Sequence, residues 1–203
     1  MMSPMLITVA FALFASAAIG GVILGTVIPR DSERFDDGPP PRPVHWMWPL
    51  LAMLLLCAAL ASRHVTALQA AAVAAACVPL VAAWYGDART GLISDWFTLV
   101  PLAVVSGYVV YSGHWFTVVS ALVIFVPFAL SALLSRGVGM GWGDVKLATL
   151  CGALVGMMAA LPAFAAACLV ATIVSYARDR GKRPVAFGPY IVLATFGALA
   201  VVL

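Results

Sequence analysis

Long stretches without charge constrain this chain more than any other feature. Apolar runs fall roughly at 4–28, 46–62, 66–86, 96–112, 115–135, 145–160, 163–177 and 187–203, with little sequence left between them. A helix that crosses a bilayer needs about 20 consecutive apolar residues, so a chain of this length with short connections holds about eight at most. Only 9% of the 203 residues are charged and 64% are hydrophobic, against roughly 25% charged in an ordinary soluble domain. Intrinsic disorder and nucleic-acid recognition are excluded on the same ground, because eleven Lys and Arg cannot coat a phosphate track. The predicted fold class is all-α: a polytopic membrane protein of about eight transmembrane helices, with residues 1–203 as one membrane-embedded domain. The first run has no basic segment before it and is too long for a signal peptide, so it reads as a retained helix.

The charges then orient the bundle. With the N-terminus outside, the loops after the first, third, fifth and seventh runs face the cytoplasm. Those loops carry Arg30, Arg34, Arg42, Arg89, Arg136, Lys146, Arg178, Arg180, Lys182 and Arg183, while the opposite side carries Arg63 alone. Cytoplasmic loops of membrane proteins collect Lys and Arg in this way. The loop 29–45 is the longest polar segment, with the acids Asp31, Glu33, Asp36 and Asp37 and the prolines Pro39, Pro40, Pro41 and Pro43. Such a mixture predicts a short extended cytoplasmic loop rather than a folded domain. Its acids could steer a basic ligand, but the neighbouring Arg30, Arg34 and Arg42 favour a plain solvated loop. Cys57, Cys77, Cys151 and Cys168 are dispersed through apolar runs with no C-x-x-C pair, a pattern of small hydrophobic filler and not of a zinc site. His45, His64 and His114 lie apart, at loops or helix ends, and read as interfacial side chains.

Of the eight acids, four belong to the loop 29–45 and Asp179 sits among the last cytoplasmic basic residues. Asp87, Asp95 and Asp144 remain, all at the cytoplasmic ends of apolar runs. Ionisable groups at membrane depth are costly and mark functional sites by default; the competing reading of each is a helix cap in headgroup water. Asp144 follows three alternating glycines in Gly139-Met140-Gly141-Trp142-Gly143-Asp144-Val145-Lys146, a segment able to approach other backbone closely and to line a cavity. Asp87 and Asp144 are separated by two runs, outbound and inbound, that return the chain to the same side. A pair of carboxyls can hydrolyse a peptide without metal, since close carboxyls share one proton and so supply a base and an acid together. Asp144 opens a helix, whose positive end favours the charged form, and Asp87 closes one; the helix ends thus predict Asp144 as base and Asp87 as acid.

These residues resemble a known family. Gly141-Trp142-Gly143-Asp144-Val145-Lys146-Leu147 is similar to the G-x-G-D-x-K-L signature of type IV prepilin peptidases, the G-x-G-D aspartic peptidases of the membrane. Asp87-Ala88-Arg89-Thr90-Gly91-Leu92-Ile93-Ser94-Asp95 resembles their other motif, an Asp followed eight positions later by Asn or Asp, although Ser94 stands where Pro is usual. Ala186-Phe187-Gly188-Pro189-Tyr190 resembles their P-F-G-P-Y segment apart from Ala186.

The resemblance implies Asp87 and Asp144 as the catalytic dyad, with Gly141, Gly143, Lys146 and Asp95 in support. It implies an endopeptidase of the inner (cytoplasmic) membrane that removes the short basic leader from prepilins or pseudopilins, cutting after a glycine on the cytoplasmic side. It implies partners limited to that substrate and the lipid bilayer, with no nucleic acid. Long members carry a cysteine-bearing zinc domain after the first helix, to which N-methylation is linked. Here that region is the cysteine-free loop 29–45, which predicts a short form with no metal, no cofactor and no methyl transfer. Two other readings stand beside this one: a transporter, which would place its carboxylates near the bilayer midplane, and a non-catalytic membrane subunit of a pilus or secretion system.

Overall fold

The computed structural model describes residues 4–32, 42–63, 65–135, 140–180 and 185–203. Its helices are α1 (Pro4–Ser32), α2 (Met47–Ala61), α3 (Ala67–Thr90), α4 (Leu99–Ser112), α5 (Phe116–Leu134), α6 (Trp142–Val155), α7 (Met157–Asp179) and α8 (Gly188–Val202), with a 3-10 turn at Asp95–Phe97 before α4. The described residues contain no strand. The chain is an all-α polytopic membrane protein, and each expected apolar run has become a helix.

Crossing length is another matter. Five segments are long and apolar enough to span a bilayer: Met5–Ile28, Ala67–Thr90, Asp95–Ser112, Phe116–Leu134 and Met157–Arg178. Helices α2, α6 and α8 have 14 or 15 residues. At 1.5 Å per residue that is about 21–23 Å, short of a hydrocarbon core of about 30 Å. Among the described residues the expectation of about eight crossings thus becomes eight α-helices and five segments of crossing length, one of which joins the 3-10 turn to α4. Helix α6 is short because it is enclosed by protein: Val145, Leu147, Ala148, Leu150 and Cys151 have no exposed surface. A helix that is apolar on all sides belongs in the interior.

The second half of α3 is the other inner element, with every residue from Leu80 to Asp87 buried. Helix α1 lies along it at close range. A Cβ on Gly25 would come within 2.6 Å of the Ala82 carbonyl oxygen, the small-residue contact by which helices pack in lipid. Helix α3 starts on a capping box, in which Thr66 and Gln69 each bond the other's backbone N–H. It ends at Gly91, a left-handed residue whose N–H donates to the Asp87 carbonyl at 2.8 Å.

One end of the bundle gathers the C-terminus of α3 and the N-termini of α6 and α8. The segment 42–45 is strapped across this end: the Arg42 N–H donates to the Arg89 carbonyl at 2.9 Å, and the Tyr85 hydroxyl donates to the Val44 carbonyl at 3.3 Å. At the opposite end Arg63 donates from Nη1 to the Val201 carbonyl in the last turn of α8, at 2.8 Å.

Two boundaries differ from expectation. Helix α1 continues through Ser32, so the first four residues of the loop expected at 29–45 are helical. Glu33, Arg34, Asp36, Asp37 and the four prolines except Pro43 lie outside the described residues, as do the side chains of Arg30 and Asp31. His64, Arg136, Gly139, Lys182 and Arg183 lie outside them too. The sixth and seventh helices divide at Gly156, not near 161–162. Pro162 sits inside α7; Gly156 has φ +78° and ψ 153°, a region essentially reserved to glycine that costs other residues about 1–3 kcal/mol. Gly156→Ala should accordingly lower stability by about 1–3 kcal/mol, read as a reduced Tm in detergent with helical content unchanged.

Candidate active site

Asp87 lies one turn from the end of α3 and is 5% exposed. The sequence ended its apolar run at residue 86, but the helix carries on to Thr90, so the carboxyl projects from an intact helix. Its Oδ2 accepts a hydrogen bond from the Gly188 N–H at 2.8 Å. Gly188 is the first residue of α8, and its lack of a side chain is what admits this approach. A Cβ there would lie 2.8 Å from Asp87 Oδ2 and 3.2 Å from Asp87 Cβ.

Asp144 is the third residue of α6. Its Oδ2 accepts from the Gly141 N–H at 3.2 Å, the reach-back half of a capping box. Its Oδ1 is buried with no hydrogen-bond partner among the described residues. Asp87 lies within reach of the fields of both Asp144 and Arg42, at the end of the bundle where α3 closes and α6 opens.

The glycine segment is more ordered than an unwound cavity lining. Gly141 is the N-cap, and Trp142 and Gly143 already belong to α6. Gly143 provides close packing: a Cβ on it would come 3.0 Å from the Ile93 Cβ. Asp95 opens the 3-10 turn and is bonded by Lys146, whose Nζ lies 2.6 Å from Asp95 Oδ1. That pair is well exposed, at 32% for the lysine and 59% for the aspartate. Ile93 against Gly143 and Asp95 against Lys146 fasten the link after α3 to the first turns of α6, and so hold the two carboxyl-bearing helix ends together.

The packing adds to the helix ends read from sequence. Asp87 closes α3 but also faces the N-terminus of α8, so both carboxyls receive a backbone N–H from the start of a helix. At Asp87 the positive end of α8 therefore stands against the negative end of α3. Gly188 is the functional neighbour that residue chemistry missed. A backbone N–H leaves no mark in a sequence, and the only signal was the Phe187-Gly188-Pro189 string itself.

A cavity of about 1050 Å³ opens beside the site between α2, α3 and α8. Trp84 and Ala88 of α3 and Pro189 and Tyr190 of α8 flank it, with Arg42 and Arg178 also in its wall. It is mainly apolar, neither carboxyl lines it, and Asp87 directly precedes Ala88 of its wall. The four cysteines are free and lie on four different helices. Among the described residues no three His, Cys, Asp or Glu side chains cluster as metal ligands.

The sequence matches the type IV leader peptidase family over residues 74–176, just over half of the chain. This chain belongs to that family. No curated protein and no solved structure matches it. The leader peptidase match takes in Asp87, Asp95, Asp144 and Lys146 and stops before α8, so Gly188 joins the site through packing from outside the matched region.

The Lys146–Asp95 contact makes a measurable prediction for this leader peptidase. Exposed ion pairs contribute little by themselves, so Asp95→Asn should reduce activity only mildly, by less than about tenfold. Lys146→Met should match it. Because both changes break one contact, the double variant should lose no more than either alone, as a double-mutant cycle on kcat/KM would record.

Proposed function

We propose that this protein is an aspartic endopeptidase that removes the short basic leader from type IV prepilins or pseudopilins, cutting after a glycine at the cytoplasmic face of the inner membrane. The observation that carries this reading is the leader peptidase match, which takes in Asp87 and Asp144, together with the placement of both carboxyls at one end of the bundle, each accepting a hydrogen bond from a glycine N–H at the start of a helix. The concentration of Arg42, Arg89, Lys146 and Arg178 toward this end, with Arg63 at the other, supports a cytoplasmic orientation for it. The N-terminus is then outside.

The chemistry follows from one proton shared by two acids. The ionised carboxyl takes a proton from water as the water oxygen bonds to the scissile carbonyl carbon. The protonated carboxyl gives its proton to the carbonyl oxygen, so a neutral tetrahedral diol forms and the pair has exchanged roles. The carboxyl now protonated delivers its proton to the amide nitrogen, the C–N bond breaks, and the other carboxyl recovers a proton from the diol hydroxyl. Water has been added across the bond, and the dyad ends with the single proton it began with. The adjoining cavity gives room for a peptide to reach the pair from the side of α2 and α8.

Asn in place of either aspartate keeps size and removes the titratable proton. Asp87→Asn and Asp144→Asn should each lower leader cleavage by at least about a thousandfold, within the range general acid–base groups supply, while the protein still inserts and extracts normally. Substantial activity in either variant defeats the assignment. Methyl transfer is a separate question that the loop after α1 bears on. It has no cysteine, and a zinc-stabilised fold needs clustered ligands. Mass spectrometry of pilin processed in a purified two-component reaction with S-adenosylmethionine should show loss of the leader and an unmodified N-terminus. A gain of one methyl mass would place methyl transfer among the helices.

A further inference from the structure

We propose that Gly188 is a positioning residue for this dyad: by lacking a side chain it lets the N-terminus of α8 dock on Asp87 and fix the carboxyl in its working orientation. The inference rests on the leader-peptidase reading of Asp87 and Asp144 and goes beyond it by adding a third helix to the site.

Three observations on the contact point the same way. The hydrogen bond from Gly188 N to Asp87 Oδ2 is short, at 2.8 Å, and buried, and it joins residues 101 positions apart. Every atom that a Cβ on Gly188 would meet most closely belongs to the Asp87 side chain: Oδ2 at 2.8 Å, Cβ at 3.2 Å and Cγ at 3.3 Å. Distances under 3.0 Å force a shift, and Asp87 has little room to give, because it is buried and projects from the most enclosed stretch of α3. Pro189 follows at a first-turn position where proline suits a helix, so the start of α8 is stiff as well. The donor occupies one carboxyl oxygen of Asp87 and fixes the plane of the group, which leaves the other oxygen for Asp144, water or substrate.

The effect of adding a methyl group here is opposite to what helix propensity would give. Alanine is the better helix former, so a loss on Gly188→Ala comes from the contact and not from the helix. Misplacing a reacting group by about 1 Å costs on the order of 100-fold, and that is the loss expected.

The test uses the full-length protein purified in detergent with a prepilin substrate. Gly188→Ala should lower kcat by about 100-fold and leave KM within about twofold, since the contact is to Asp87 and not to substrate. Gly107→Ala in α4, where nothing lies within 4 Å of the added methyl, should leave kcat unchanged. A Gly188→Ala protein with near-parental kcat overturns the proposal, as does a loss confined to KM. If Gly188→Ala proves too unstable to assay, the same change is made on Asp87→Ala, which removes Oδ2 and Cγ. Recovery of folding in that background, read as Tm, supports the contact. Failure to fold there as well overturns it, because the glycine would then be needed against something else. An active Asp87→Asn protein defeats the dyad itself, whereas an inactive Asp87→Asn protein beside a fully active Gly188→Ala protein defeats only this inference.

Discussion

The holding of two carboxyls, Asp87 and Asp144, at one end of an apolar bundle sets demands that the rest of the structure answers. Each needs a donor in surroundings that offer little water. Glycine backbone N–H groups supply it: Gly141 for Asp144 and Gly188 for Asp87. The donors are uncharged and take almost no space, and because both stand at helix starts they add the positive end of a helix to each carboxyl. A lysine or arginine in direct contact would have held the acids more strongly, but as an ion pair unsuited to giving and taking a proton.

Helices α6 and α8 are short, and each begins at the end of the bundle where α3 presents Asp87. With α6 enclosed on all sides, its shortness exposes no backbone to lipid, and the long helices α1, α3, α5 and α7 supply the crossing length around it. The nearest basic residues are kept at one remove: Lys146 is engaged by Asp95, and Arg42 is held by its backbone to the end of α3. Positive charge therefore surrounds the site without closing on it.

Much of this was legible in the residues because it is local. Apolar runs gave the helices, since the need to satisfy every backbone group in lipid leaves a continuous apolar segment few other forms. Asp87 and Asp144 stood out once the acids of the loop and the basic tail were accounted for, because charge at membrane depth is too costly to be incidental. What misled was also local: the apolar runs divide between 160 and 163, a position carried inside α7, whereas Gly156, inconspicuous among apolar neighbours, makes the turn with φ +78°. The alternating glycines suggested an unwound strip, and instead became a helix cap at Gly141 and a packing surface at Gly143.

The sequence alone determined the class of the protein and singled out Asp87 and Asp144 as candidates, because hydropathy, charge and motif spacing are properties of neighbouring residues. Tertiary structure decided which helices have crossing length, that Lys146 spends its charge on Asp95, and that Asp87 answers to Gly188. The last of these depends on a hydrogen bond between residues 101 positions apart. Its donor is a backbone group common to every residue but proline, so only the packing of α8 against α3 could single it out.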